Sequence, residues 1–165
     1  MEIHYRNATD KDLHFLVESR LAFIEMTGDE KEYNFMRNNI CEYFRYAIEE
    51  KQCDIVLAEY MDTVVGTGIV FYYQSVPSRF NPWGKNAYIT SMYVAKKYRR
   101  QGIAGQILSR LLNLAKEKGY HIFFLHESEV GRPLYQKFGF TKGKEGMMLK
   151  MQPSVDTRVP QVVET

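Results

Sequence analysis

Residues 88–105 read YITSMYVAKKYRRQGIAG, and this stretch decides the fold. Its first half predicts a strand over 87–94, because β-branched and aromatic residues dominate it. The basic connection Lys96–Gln101 follows, and from Gly102 apolar residues recur at helical spacing as far as Lys118. Gly119 stands where a left-handed helix cap belongs. The stretch therefore predicts a strand that turns through a basic loop into an amphipathic helix.

The turn itself predicts an anion-binding site. Free backbone N–H groups and the positive end of the helix dipole both point at a helix N-terminus. Arg99 and Arg100 can add charge-assisted hydrogen bonds, and glycine lets a phosphate approach the backbone closely. The spacing is neither that of an ATP-binding P-loop nor that of a dinucleotide-binding turn. On residue types alone, a solvated basic loop is the alternative.

Working outward, the patterns predict an α/β fold with a mixed sheet of six to seven strands and about four helices. A strand follows the central helix, so the sheet centre is expected to be parallel and its first half antiparallel. Gly66 and Gly68 lie inside a strand and indicate a bulge or a close backbone approach. The long loop Ser75–Asn86 is a candidate functional loop. The other predicted strands are Ile3–Arg6, Ile55–Ala58, Val64–Tyr73, Tyr120–His126 and Gly146–Met151, and the other helices are one opened by Thr9, one over Glu30–Lys51 and a short one within Ser128–Phe138.

Composition limits the function classes. The 165 residues suit one domain, and 22 basic against 20 acidic side chains give a net charge of +2. That balance argues against a nucleic-acid partner, whose binding proteins normally carry an excess of Lys and Arg. With 45% hydrophobic residues the chain can bury a core, and its chemistry points to a small ligand.

Cysteine, histidine and hydropathy patterns predict no metal, no membrane span and a cytoplasmic location. Cys41 and Cys53 lie twelve apart without a metal-ligand spacing and are expected to be reduced packing residues. The four histidines form no pair with zinc-site spacing. No apolar run approaches the roughly 18 residues of a span, and the first residues lack a signal-peptide core.

Two motifs resemble the GNAT superfamily of N-acetyltransferases. Arg99-x-x-Gly102-x-Ala104 fits the superfamily signature [QR]-x-x-G-x-[GA], and Tyr135-x-x-x-Gly139-Phe140 is similar to its Y-x-x-x-G-F ending. The element order from Ile3 to about Met151 is also similar. The resemblance implies a single N-acetyltransferase domain over 1–151, with 152–165 as a C-terminal arm.

The resemblance implies acetyl-CoA as cosubstrate. Its pyrophosphate would lie on the backbone of the basic turn, and its pantetheine arm would extend along the strand like an added neighbour. Ser128 stands where many members have an asparagine and could supply a cofactor contact with its hydroxyl. The implied cofactor-binding residues are Met92, Tyr93, Val94, Arg99, Arg100, Gln101, Gly102, Ile103, Ala104, Gly105, Ser128 and Tyr135.

For catalysis, the resemblance places Tyr135 at the general-acid position and the backbone N–H of Tyr93 at the oxyanion. The strand over 87–94 contains no glutamate, the residue that serves as general base in some members. Deprotonation could pass through water, His126, Glu127 or Glu129, and an exposed surface role is the alternative for those three residues.

The expected reaction is direct acetyl transfer in a ternary complex to a primary amine of a small molecule or peptide. A non-catalytic acyl-CoA sensor is the alternative. The first two helices and the loop Ser75–Asn86 would line the acceptor side, where carboxylates at the helix junction could hold a cationic amine or simply face solvent. Those carboxylates are Glu25, Asp29, Glu30 and Glu32. The arm 152–165 is expected to pack on its own domain or on a neighbour, with a homodimer as one outcome.

Overall fold

The computed structural model describes residues 2–143 of the chain, which contain five strands and four α-helices. The strands are β1 (His4–Asn7), β2 (Cys53–Tyr60), β3 (Thr63–Gln74), β4 (Lys85–Val94) and β5 (Ile122–Leu125). The helices are α1 (Leu13–Phe23), α2 (Glu30–Glu49), α3 (Ile103–Glu117) and α4 (Arg132–Lys137).

The predicted α/β class with a mixed sheet is confirmed, and the predicted strand count needs correction. Each β-rich run between Ile3 and His126 forms one strand. Residues 2–143 therefore contain five strands, whereas six to seven were predicted for the chain. The predicted strand Gly146–Met151 and the predicted arm 152–165 lie outside the described residues.

The sheet changes from antiparallel to parallel at β4. Its spatial order is β1-β2-β3-β4-β5, and the first three neighbouring pairs are antiparallel. The β4–β5 pair is parallel because α3 carries the chain back across the sheet between them. The parallel pairing predicted from the strand, helix, strand order is therefore confirmed, but among the five described strands it lies at one end of the sheet and not at its centre.

Helices cover both faces of the sheet, and the sheet separates two hydrophobic core clusters. On one face, Leu16 and Leu21 of α1 and Phe44 of α2 pack against inward residues of β2 and β3 such as Leu57 and Ile69. On the other face, α3 contributes its entire apolar stripe, and all of these side chains are buried: Ile103, Ile107, Leu108, Leu111 and Ala115. Gly119, with φ +80°, ends this helix in the left-handed conformation that its position predicts.

A β-bulge interrupts the pairing of β3 with β4. Thr67 faces Tyr93 and Ile69 faces Thr90, so Gly68 alone stands opposite two residues, Ser91 and Met92. Ser91 has φ +50°, the left-handed conformation that an extra residue in a bulge can adopt. The bulge predicted from the strand glycines is confirmed.

Gly68 is required because α3 and the bulge both press on it. A Cβ at this position would lie 2.5 Å from Met92 Sδ and 2.6 Å from Ile107 Cγ2. Leu111 Cδ1 would be only 3.0 Å away. Side chains of α3 therefore pack directly against the backbone of β3 at Gly68, the residue opposite the bulge.

Replacing Gly68 with Ala is expected to destabilise the fold by about 1 to 3 kcal/mol, since overpacking a tight core costs that much. Urea unfolding followed by circular dichroism measures the change. Gly143→Ala is the control, because a Cβ there would meet nothing within 4 Å. Equal unfolding midpoints for the two variants would contradict the close packing of α3 on β3.

Candidate functional site

An open edge on β4 forms the centre of the candidate site. The parallel ladder joins only four residues of each strand and ends at the pair Ile89 and Leu125. Strand β4 continues for five more residues, to Val94, while β5 stops. Within residues 2–143, the β5 side of this extension therefore has no strand partner, and a gap opens between the two strands.

The register decides which backbone groups face the gap. Ala95 N–H donates to the carbonyl of Val65 at 2.8 Å, so Val65 and Ala95 form a hydrogen-bonded pair. Such pairs alternate with non-hydrogen-bonded ones along an antiparallel ladder, which directs the Tyr93 N–H toward β3. The same alternation turns the N–H and C=O groups of Val94 toward the gap. Accordingly, the Val94 carbonyl accepts from Arg99 Nε at 2.9 Å.

The gap leads to the N-terminus of α3. Gly102 occupies the N-cap position with φ +82° and provides no side-chain cap, so the next N–H groups are free to bind an anion. Arg100 also has positive φ, +62°, which folds the turn back on itself. The side chains of Arg100 and Gln101 are exposed, and Arg99 is held against the end of β4. The backbone N–H groups that begin the helix belong to Ile103, Ala104 and Gly105.

Helix α4 brings Tyr135 to the same end of the molecule. A Cβ on Gly105 would lie 3.8 Å from Leu134 and 3.9 Å from Phe138, so α4 packs directly beside the start of α3. Tyr135 is buried on this side and meets the ring of Phe140 edge to face, with centroids 5.9 Å apart. Burial raises the pKa of the Tyr135 hydroxyl above its ordinary value of 10.0, which keeps the hydroxyl protonated.

Ser128 organises the turn that enters α4. Its hydroxyl oxygen accepts from Gly131 N–H at 3.1 Å, and its carbonyl accepts from Arg132 N–H at 2.9 Å. The hydroxyl proton remains available as a donor, because a serine hydroxyl donates once and accepts twice. Glu127 lies 3.4 Å from Arg132 Nε in an exposed ion pair.

A cavity of about 460 Å³ opens on the α1 and α2 face of the sheet, against the same segment of β4. Its walls are mostly aromatic and aliphatic, and its size is that of a small-molecule site. The lining residues are Arg20, Asn39, Ile40, Tyr43, Phe44, Ile69, Phe71, Tyr88, Thr90 and Ser91.

The acidic residues proposed for the acceptor side do not line this cavity. Glu25, Asp29, Glu30 and Glu32 are all exposed at the junction of α1 and α2. Asp29 caps α2 by accepting from Glu32 N–H at 2.8 Å. The expected aromatic loop also stands away from the cavity, with Trp83 73% exposed. Residues of α1 and α2 line this cavity, whereas the carboxylates at the helix junction serve helix capping and solvent contact.

Two residues at this site were missed by reading the sequence. Arg20 follows Leu13 by seven, Leu16 by four and Val17 by three, so helical periodicity assigns a cation to the buried face of α1. That conflict is a signal the sequence carried. The other residue, Tyr88, lines the cavity and places its hydroxyl 2.6 Å from His126 Nδ1. Nothing local marks Tyr88, because its partner lies 38 residues away.

Within residues 2–143, neither a metal-binding group nor a membrane-spanning helix contributes to the site. Across residues 2–143, His, Cys, Asp and Glu side chains do not gather in threes that could hold a metal ion. Over the same range, each helix is too short or too polar to cross a bilayer.

The fold and the site together define a protein that can hold an extended ligand in a sheet gap and an anion at a helix N-terminus. The family model for the Acetyltransferase (GNAT) family matches residues 20–140. The chain belongs to this family. A Bacillus subtilis (strain 168) protein, named provisionally as an acetyltransferase, is 30% identical over 114 residues, which cover 66% of this chain and 78% of that protein.

Solved structures agree with the family. A crystal structure with acetyl-CoA, of a predicted acetyltransferase from Clostridium acetobutylicum, is similar at 29% identity and a TM-score of 0.82, covering 90% of this chain and 96% of that one. A GCN5-related N-acetyltransferase from Ralstonia eutropha JMP134 shares the fold at 21% identity and a TM-score of 0.78, covering 90% and 99% of the two chains. The predicted GNAT-like fold is therefore confirmed.

Proposed function

We propose that this protein transfers the acetyl group of acetyl-CoA to a primary amine of a small molecule or peptide, by direct attack in a ternary complex. The observation that carries the proposal is the open edge of β4, which runs straight to the uncapped N-terminus of α3. An extended amide-bearing arm with a pyrophosphate at one end fits such an edge and such a terminus. The similarity to a protein crystallised with acetyl-CoA supports the same conclusion.

The pyrophosphate is held at the basic turn. The N–H groups of Gly102 to Gly105 point along the helix axis, and four cations stand within five residues: Lys96, Lys97, Arg99 and Arg100. The pantetheine amides pair with the Met92 and Val94 backbone groups as an added strand would. Ser128 offers its hydroxyl proton from the opposite side of the gap.

In this proposal the backbone N–H of Met92 binds the oxyanion, in place of the Tyr93 N–H expected from the sequence. The register directs the Tyr93 N–H toward its partner Thr67, and from this we infer that the N–H of Met92, the adjacent bulge residue, faces the gap. A preorganised backbone donor at the thioester oxygen stabilises the tetrahedral intermediate more than the ground state. Tyr93 then contributes to the cofactor edge as part of the strand.

Tyr135 stabilises the departing sulfur. An ordinary thiol has a pKa near 8.5, below that of the buried phenol, so complete transfer of the phenol proton to the thiolate is uphill. The hydroxyl therefore acts chiefly by donating a hydrogen bond to sulfur as the C–S bond breaks. The proton that completes the free thiol is supplied through solvent after the charge has developed.

The Tyr88 and His126 pair receives the proton of the attacking amine. The amine nitrogen forms the new N–C bond and must then lose a proton, which moves to Tyr88 while the Tyr88 proton moves to His126. Tyr88 lines the acceptor cavity and His126 follows the last residue of β5, so the pair lies beside the start of the gap. Glu127 is less suited because it pairs with Arg132.

The enzyme is proposed to work in the cytoplasm. Cys41 and Cys53 are both free thiols in the structure, as expected in a reducing compartment. A homodimer remains a proposal that rests on the C-terminal arm alone.

The cofactor site predicts that Arg100→Gln weakens acetyl-CoA binding about three- to tenfold and reduces its salt dependence, because one exposed charge-assisted phosphate contact is lost. Calorimetric titration at two salt concentrations measures both effects. Lys116→Gln at the far end of α3 is the matched control, because it removes the same charge away from the turn. Absence of acetyl-CoA binding to the unsubstituted protein at millimolar concentration would refute both the enzyme and the sensor.

Removing the Tyr135 hydroxyl with Tyr135→Phe is expected to lower kcat about 10- to 100-fold, the value of one hydrogen bond to a charged group. Affinity for acetyl-CoA should stay within about twofold, since the ring remains in place. Thiol release with an accepted amine measures the rate, and Tyr46→Phe on the outer surface of α2 is the control. An unchanged kcat would remove Tyr135 from the reaction.

The proton path predicts that His126→Gln lowers kcat/KM for the amine at least about tenfold, because glutamine can keep the contact with Tyr88 but accepts no proton. Tyr88→Phe should reproduce the loss. His121→Gln, an exposed histidine just before β5, serves as the control. An unchanged kcat/KM in His126→Gln would contradict the path.

A further inference from the structure

Among the described residues that line the acceptor cavity, the guanidinium of Arg20 is the single charged side chain. We propose that the acceptor is a small amine that also carries an anionic oxygen group, a carboxylate or a phosphate, and that Arg20 binds this group. The proposal rests on the proposed acetyl transfer and specifies its substrate class. Four features of the cavity support the proposal: its charge, the N–H donors of Arg20 that have no partner among the described residues, its apolar walls and its position beside β4.

The charge of the cavity favours an anion. None of the ten residues that line it is Asp or Glu. Glu18 on α1 forms an ion pair with Arg37 on α2 at 3.0 Å, and neither residue lines the cavity. A doubly positive or simply cationic acceptor would meet Arg20 with no countercharge from the lining, whereas an anionic group would gain a direct partner.

Arg20 is held in place with donors to spare. One terminal nitrogen donates to the hydroxyl of Ser91 at 3.2 Å, and the guanidinium carbon lies 5.3 Å from the centroid of the Phe23 ring. A guanidinium has five N–H donors in a rigid fork, so several remain for a ligand. Within residues 2–143 no carboxylate forms an ion pair with Arg20. A partly buried cation with only neutral partners is best compensated by an anionic ligand.

The remaining walls select a compact apolar body. Tyr43 and Phe71 meet edge to face with centroids 5.3 Å apart, and Phe44 and Ile69 close the floor of the cavity. A volume of about 460 Å³ accommodates a molecule such as an aromatic or branched aliphatic amino acid.

The position of Arg20 also suits the reaction. Ser91, its hydrogen-bond partner, directly precedes Met92, whose N–H is the proposed oxyanion donor. An anionic group bound at Arg20 therefore places a nearby amine next to the thioester carbon.

Matched acceptors test the proposal. Thiol release is measured with phenylalanine and leucine, with their carboxamides, and with phosphoethanolamine. The carboxamides keep the amine and the side chain but lack the anion. The unsubstituted protein is expected to prefer the free acids by at least about tenfold in kcat/KM, the value of one charge-assisted contact. The phosphate arm shows which anion the site prefers.

Arg20 variants then assign the preference. Arg20→Gln should lower kcat/KM for the acids about 10- to 100-fold, mainly through KM, and leave the carboxamides within about threefold. Arg20→Lys should restore part of the loss, because it restores the charge. Arg37→Gln is the control, since Arg37 is a neighbouring arginine outside the cavity lining. Thermal unfolding of each variant tests whether the fold is retained.

Two results would overturn the proposal: carboxamides that react as well as the acids, or an Arg20→Gln variant that slows both classes equally. If no amine releases thiol although acetyl-CoA binds, the proposed transfer fails. Calorimetric binding of the acids and carboxamides to the CoA complex then decides the inference. Selective, Arg20-dependent binding of the acids supports it, and equal binding contradicts it.

Discussion

The early end of the β4–β5 ladder is the constraint on which the proposed site depends. Four paired residues hold β4 and β5 together, and beyond Ile89 β4 has no strand partner on its β5 side within residues 2–143, although β3 still pairs with its other side. An unpaired strand edge inside a folded domain leaves N–H and C=O groups that need partners, and an extended ligand can supply them. The bulge opposite Gly68 lies in this same segment, so the sheet pairing, the turn of Ser91 and the gap form one local distortion.

Helix α3 links the stability of the fold to the chemistry of the site. Its apolar stripe fills the core on one face, and its N-terminus presents the N–H groups to which we assign the anion. Because Ile107 and Leu111 touch the strand glycine that faces the bulge, the helix also supports the open edge from behind. A residue far from any ligand can therefore affect binding through the position of this one helix.

Much of the site was predictable where its residues are neighbours in sequence. The anion turn was predicted from Arg99 to Gly105, because a strand, a basic loop and a helix start within twenty residues carry their own geometry. The acceptor side was predicted only as a region. Arg20 comes from α1 and its partner Ser91 lies 71 residues later, and Tyr88 meets His126 across the sheet. Such long-range pairs leave no local pattern, although an arginine on an apolar helical face was a visible conflict.

The sequence by itself determined most of the elements, the family and the glycine-containing basic turn before α3, because hydrophobic period, glycine placement and motif spacing are local properties. Only the tertiary structure decided which backbone N–H groups face the gap, which charged side chain lines the cavity between the helices and β4, and which carboxylate caps a helix. These are consequences of strand register and of helix packing across the sheet. A shift of one residue along a strand reverses the direction of every backbone group, and composition carries no record of that choice.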